Sequence, residues 1–174
     1  MNVKSCLIGT VLCACTFLSG CSGPRGPSAV RALNGKYYDR EENPTFKVQR
    51  DGTVDWYTFS GYLRYSSKCV VCHGPDGTGS AFAPVLVNSL KTLRYREFLT
   101  TVRDGRKAVS AAAGTPMPSF GQNKNVICYL DDIYVYLRAR AEGAIGRGMP
   151  EKHQPQPAAT AQAEDACLGA FRRH

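Results

Sequence analysis

Cys69-Val70-Val71-Cys72-His73 decides how the rest of this chain is read. Two thiols separated by two residues on a helical turn reach the two vinyl groups on one edge of a porphyrin. The adjacent histidine then projects its imidazole under the iron. A C-x-x-C-H run therefore points to covalent attachment of a c-type haem, with Cys69 and Cys72 as the thioether donors and His73 as the proximal iron ligand. The competing chemistries need partners that the sequence lacks. A structural zinc site wants two more Cys or His at similar spacing, and only the scattered His153, His174, Cys128 and Cys167 are available. A redox-active C-x-x-C of the thioredoxin kind needs alternating strands and helices, which do not surround residue 69. Only one such run exists, so one haem is expected. The glycine-rich Gly74-Pro75-Asp76-Gly77-Thr78-Gly79 follows, without the Gly-Lys-Ser/Thr ending of a phosphate loop.

Upstream, residues 1–20 read as an export signal. Lys4 supplies the positive start, residues 7–18 are apolar, and no acidic residue precedes Asp39. The apolar run is too short to span a membrane, which takes about 20 residues. Its end, Leu18-Ser19-Gly20-Cys21, resembles the lipobox of bacterial lipoproteins, in which the cysteine is lipidated and the chain is cut before it. Ordinary signal cleavage nearby is the alternative. Residues 21–34, with Gly23-Pro24-Arg25-Gly26-Pro27, are expected to be a flexible tether from Cys21 to the folded part. The expected location is the bacterial periplasm, with membrane contact through the lipid alone.

The chain has 174 residues, 43% hydrophobic and 21% charged, enough for one compact domain and not for two full-sized ones. Removing Lys4 with the signal leaves 21 basic against 14 acidic residues, a net of +7. That excess fits an acidic protein partner and argues only weakly for nucleic acid, which an exported protein rarely meets, so none is expected. Lys91, Arg94, Arg96, Arg103, Arg106 and Lys107 outnumber Glu97 and Asp104 in their stretch by six to two. They are candidates for steering a partner toward the haem edge; a solvated helix face accounts for them equally well.

For the sixth iron ligand the candidates are Met117, Met149, His153 and His174. Met117 lies between Pro116 and Pro118, which stiffen a non-repetitive loop able to hold a thioether over the iron. Met149 and both histidines fall in a Gly-, Pro-, Gln- and Ala-rich tail, so Met117 is favoured; His153 is expected to be solvated. Of the cysteines that survive processing and haem attachment, Cys128 and Cys167 remain. In an oxidising compartment they are expected to pair, although free thiols or an inter-chain bridge are open alternatives.

Three helices are readable. Asp55 is placed to cap a helix over 56–67, with Trp56, Phe59 and Leu63 on one apolar face and Trp56 in the core. A second covers 95–103, with Phe98, Leu99 and Val102 inward and Gly105 as its stop. The third starts after Asn125, carries Ile127, Leu130, Ile133, Tyr134 and Leu137 inward, and ends at Gly143.

With these parts in place, residues 53–143 resemble a class I cytochrome c. The resemblance implies an all-α fold, helices packed around one covalent haem, with irregular N- and C-terminal extensions. It divides the mature chain into a haem domain over 35–143 and an extension over 144–174. In that family a small residue eight before the first haem cysteine and an aromatic four before it meet the C-terminal helix; these are Gly61 and Tyr65, facing Ile133 and Tyr136. The proximal histidine usually gives its free ring N–H to a proline carbonyl about a dozen residues on, and Pro84 matches. A narrower likeness spans roughly residues 35–150. Gly35-Lys36-Tyr37-Tyr38-Asp39, Asp55-Trp56-Tyr57-Thr58-Phe59-Ser60-Gly61-Tyr62, the run after Cys72, and the helix from Cys128 to Arg138 look like methanol-metabolism-related c-type cytochromes of the XoxG and PedF types. That likeness implies a carrier, not an enzyme, taking single electrons from a pyrroloquinoline-quinone (PQQ) alcohol dehydrogenase, often a lanthanide-dependent one. It would pass them to a downstream cytochrome c or a terminal oxidase. Such carriers are generally soluble, so a lipid on Cys21 would mark a tethered variant. Two other roles remain open: a generic carrier serving an oxidase, and a haem subunit or sensor with an exchangeable sixth ligand.

Overall fold

The structure, a computed structural model, describes residues 29–107 and 116–170. The export signal, Cys21 and most of the 21–34 segment lie outside the described residues. The order of elements is β1 (Arg31–Leu33), β2 (Lys36–Tyr38), β3 (Pro44–Thr45), α1 (Trp56–Lys68), α2 (Val70–His73), a 3-10 turn (Pro75–Gly77), α3 (Leu86–Ser89), α4 (Tyr95–Asp104), α5 (Lys124–Ile127), α6 (Leu130–Ala141) and α7 (Ala158–Ala170).

α6 is the axis of the molecule. Asp132 through Leu137, Ala139 and Ala141 are all buried, so the helix has almost no solvated side and must be covered all round. On one side, Ile133, Tyr134, Tyr136 and Leu137 join Tyr65, Leu90, Phe98, Val102 and Val126 in the main core. On another, Val135 and Ala139 meet Phe46 and Tyr57 in a second, smaller core.

α1 starts where Asp55 accepts hydrogen bonds from the Thr58 amide (2.9 Å) and the Thr58 hydroxyl (2.7 Å), which satisfies an otherwise orphaned first-turn donor. A second tie comes from the Lys47 amide, 2.7 Å from the same carboxylate. The helix then crosses α6 at Gly61. A Cβ there would sit 1.9 Å from the Asp132 carbonyl oxygen and 2.7 Å from Tyr136 Cβ, closer than any side chain permits. Glycine costs roughly 1 kcal/mol inside a helix relative to alanine; here it lets two backbones touch. Beside the crossing, Ser60 donates to the buried Asp132 carboxylate at 2.6 Å. Burial pushes Asp132 up to about 7, against the opposing pull of the Ser60 hydroxyl and the Lys36 charge.

The fold is mostly helical, as expected, with one small sheet added in which β1, β2 and β3 pair antiparallel in that order. Other expectations need correction. β1 falls inside the segment expected to be a tether. Leu33 pairs with Lys36 across Asn34-Gly35, both with positive φ (52° and 79°), as a two-residue hairpin turn of the primed type requires. A boundary drawn between residues 34 and 35 therefore cuts a hairpin at its tip. Leu63 is 40% exposed, because α1 turns Tyr57, Gly61 and Tyr65 inward instead. Trp56 is only half-buried. The third expected helix is two, α5 and α6, with Tyr129 at φ −128°, ψ 20° between them.

The C-terminal extension is not irregular. It runs back along the domain, forming a parallel bridge between Val54 and His153, with Lys152 and Gln154 hydrogen-bonded to the Val54 backbone (3.0 and 2.9 Å). His153 is exposed yet not merely solvated, since its ring stacks on Phe59 at 3.7 Å between centroids. α7 follows. Thr160 shares a 2.6 Å hydrogen bond with the Tyr57 hydroxyl, and a disulfide joins Cys167 to Cys128.

Gly61→Ala is expected to lower the unfolding free energy of the holoprotein by about 1–3 kcal/mol or more, because a backbone carbonyl cannot move aside as a side chain can. Denaturant unfolding checks this; an unchanged midpoint would contradict the described crossing.

Candidate haem site

The C-x-x-C-H run begins on the last turn of α1 and closes in α2. The Cys69 amide donates to Tyr65 at 2.8 Å, and the His73 amide donates back to Cys69 at 2.9 Å. One winding of backbone therefore carries both cysteines and the histidine. Cys69 is half-buried against the main core, Cys72 is exposed, and both are free thiols. Burial, with Cys72 adding to it, pushes the Cys69 thiol up to about 12. Redox-active C-x-x-C pairs work through a lowered thiol pKa, and Cys69 is shifted the opposite way.

His73 is buried, and its Nδ1 lies 3.2 Å from the Pro84 carbonyl oxygen. A carbonyl can only accept, so Nδ1 carries the proton and Nε2 presents its lone pair. Among the described residues Nε2 makes no hydrogen bond. Burial pushes the imidazole below its ordinary range, with the carbonyl acting the other way. An imidazole fixed in one tautomer, with its second nitrogen open and two thiols on the same turn, fits the attachment and proximal ligation of a haem.

Tyr65 connects this turn to the crossing helices. Its side chain is fully buried; the hydroxyl donates to the Gly74 carbonyl (2.6 Å) and accepts from the Gly77 amide (3.0 Å). The expected aromatic at this position thus does more than pack on Tyr136: it holds the loop that leaves His73. The Gly79 amide donates to the His73 carbonyl at 2.8 Å and closes the same loop.

Met117 is half-buried and borders the main core, as Cys69 does. It pairs with Arg106 through two backbone hydrogen bonds, each 2.9 Å. The loop is laced further to the end of α4: Phe120 donates to Val102 (3.1 Å), Gly121 to Arg103 (2.9 Å), and the Ser119 hydroxyl to the Arg103 carbonyl (2.6 Å). Gly105, expected only as a helix stop, is the residue that lets this happen. It has φ 76°, ψ −175°, a region open to glycine alone, and a Cβ would lie 2.5 Å from the Met117 carbonyl oxygen.

Met149 is 58% exposed and lies in the C-terminal extension. Lys91, Arg94, Arg96, Arg103, Arg106 and Lys107 are all exposed, with Arg103 paired to Asp104 at 2.7 Å. Arg106 and Lys107 lie beside the Met117 strand pairing.

The residues to which sequence reasoning gave no role are Asp76, Arg147 and Gly148. Asp76 is buried with φ 57°, three residues after His73, and Tyr136, Arg147 and Gly148 converge on it. The signal was an aspartate before glycine in a Gly-Pro turn, one of the few residues that tolerate a left-handed backbone.

A family model described as cytochrome c oxidase, cbb3-type, subunit III matches residues 59–137. The chain is 50% identical over 135 residues to cytochrome c-553I of Paracoccus denitrificans, covering 78% of this chain but only 60% of that protein's length. It is 40% identical over 102 residues to cytochrome c-555 of Methylococcus capsulatus (58% of this chain, 76% of that one). A crystal structure of the c-type cytochrome XoxG from Methylobacterium extorquens AM1 superposes with a TM-score of 0.77 at 47% identity, covering 82% of this chain and 87% of that one. The chain belongs to the c-type cytochromes. Proteins of this family carry covalently bound haem c and are electron carriers rather than enzymes; the single C-x-x-C-H run makes this one monohaem.

Tyr65→Phe is expected to lower stability by about 1–3 kcal/mol, since it removes the partner of two buried backbone groups while keeping the ring. Chemical denaturation of the holoprotein measures it, and a loss below a few tenths of that would mean the hydroxyl does not hold the loop.

Proposed function

We propose that the chain is a periplasmic one-electron carrier that accepts electrons from a PQQ-dependent alcohol dehydrogenase, in the setting of methanol oxidation. It passes them on to a downstream cytochrome c or a terminal oxidase. Cys69 and Cys72 hold the haem through thioether bonds, and His73 and Met117 ligate the iron. When bound, the haem supplies a reversible Fe(III)/Fe(II) couple, and a Met–His ligand set favours the reduced form more than two imidazoles would. The observation that carries the reading is the buried His73 ring, oriented by Pro84 beside two free thiols on the same helical turn. Nothing in this role requires a general acid, base or nucleophile.

Met117 is preferred over Met149 for a geometric reason. The neighbour of Met149, Gly148, is hydrogen-bonded to Asp76 on the loop that follows His73, at 2.9 Å. That contact ties Met149 to the His73 loop and so supports Met117, on a separate loop, as the sixth ligand. The dehydrogenase as partner rests on the likeness to XoxG-type cytochromes. The exposed cations of α4 and the Met117 loop support an acidic partner surface, steered over distances of about one Debye length. Residues 1–20 are read as an export signal and Cys21 as the lipid anchor, so the haem domain would work on a tether. Two acyl chains make such anchoring stable where one is marginal. Among the described residues no helix is long and apolar enough to cross a membrane.

The test mixes the ferric protein anaerobically with a purified PQQ alcohol dehydrogenase and its alcohol. Rapid haem reduction is expected, slowed several-fold by Arg106→Glu with Lys107→Glu and by raised salt. Met117→Ala is expected to abolish the far-red ferric band of thioether ligation while Met149→Ala retains it. No reduction would remove the partner assignment; a band lost from Met149→Ala instead would reverse the ligand.

A further inference from the structure

Asp76 is an expensive residue to bury. Its carboxylate is 9% exposed, and the backbone around it is left-handed. Three donors reach it from two parts of the chain: the Gly148 amide at 2.9 Å and Arg147 Nε at 3.3 Å from the C-terminal extension, and the Tyr136 hydroxyl at 3.3 Å from α6. Burial pushes the carboxyl up, but the Gly148 amide, the Arg147 and Arg140 charges and the Tyr136 hydroxyl together hold it below the usual carboxylate range. It is therefore a fixed negative charge. The backbone path from His73 to Asp76 is three residues, at most roughly 11 Å.

We infer that Asp76 and Arg147 form a charge pair on the proximal loop that sets the reduction potential of the haem, with the C-terminal extension supplying the positive member. This rests on the assignment of His73 as proximal ligand. A negative charge near the iron favours the ferric state, which carries one more positive charge than the ferrous state, and so lowers the potential. Arg147 offsets part of that field. Its side chain is 68% exposed and screened by water, so it offsets less than the buried Asp76 contributes. The extension thereby does more than cover the domain, because it sets a positive charge against Asp76 on the loop that follows His73.

The signs make the pair testable. Asp76→Asn keeps the shape, can still accept from the Gly148 amide, and tolerates the left-handed backbone. It should raise the potential, shifting the oxidised-to-reduced ratio at fixed ambient potential by roughly three- to tenfold, as a unit charge at an effective dielectric of ~20 implies. Arg147→Gln should lower it by less, Arg147→Glu by about twice the Arg147→Gln shift, and the double variant Asp76→Asn with Arg147→Gln should fall between the two singles. If these residues only stiffened the loop, both single variants would admit water and shift the potential the same way. Redox titration of the full-length holoprotein reads the result, with the far-red band recorded for every variant. Opposite shifts with the band intact support the pair. Shifts of the same sign, or none, overturn it. Because Arg147 is exposed, the Gln and Glu variants decide the matter even where Asp76→Asn does not fold. Loss of the proximal ligand assignment would instead show as an altered spectrum in the unmodified protein.

Discussion

Everything at the haem site depends on how closely α1 and α6 approach at Gly61. The backbone of α1 rests on the Asp132 carbonyl, and no other residue type leaves room for it. That contact fixes the rotation of α1, which turns Tyr65 fully inward and carries Cys69, one residue past its end, to the rim of the core. From there the Tyr65 hydroxyl reaches forward to Gly74 and Gly77 and holds the loop that leaves His73. The imidazole is thus aimed by a chain of contacts starting at a glycine twelve residues upstream and ending at the Pro84 carbonyl.

The two faces of the site are built differently. On the His73 side Tyr65 and Asp76 are buried and polar, Asp76 with three donors, while the exposed Pro84 offers its carbonyl to the ring. On the Met117 side the loop is laced to α4 by backbone hydrogen bonds around Gly105, and its flanking side chains are exposed cations. Under the proposed ligation, the buried polar groups around His73 suit the tuning of iron electronics, and the cationic, solvent-facing loop suits contact with another protein. The terminal segments belong to the fold. The N-terminal hairpin puts Lys36 against Asp131 at 2.5 Å, and the C-terminal extension covers Asp76, Phe59 and Tyr57 in turn before the disulfide at Cys128 ties it down.

Much of this was readable from residues. The haem motif, the Asp55 cap, the inward faces of α4 and α6 and the role of Gly61 each follow from spacing and local chemistry, or from the family's pattern laid on them. What escaped was long-range. Leu63 satisfies the helical period as well as Tyr65 does, and only the position of α6 decides which is buried. Val135 and Ala139 lie off the face marked by Ile133, Tyr134 and Leu137, and the second core that buries them, with Phe46, draws on a segment with no helical signal. The extension is poor in apolar residues, so nothing local indicates that it docks through backbone pairing at Val54 and a stacked His153. The Asn34-Gly35 hairpin is the exception: its turn signal was present, but three-residue strands offer too little alternation to be noticed beside a Gly-Pro-rich leader.

The central claim is that Cys69, Cys72 and His73 form a single haem attachment turn. Intact-mass spectrometry of the denatured protein, expressed with haem-maturation machinery, tests it most directly. The account predicts a mass increase of one haem that survives denaturation and is lost when both Cys69 and Cys72 are changed to serine. A protein of unmodified mass, or haem retained by the double serine variant, would contradict it.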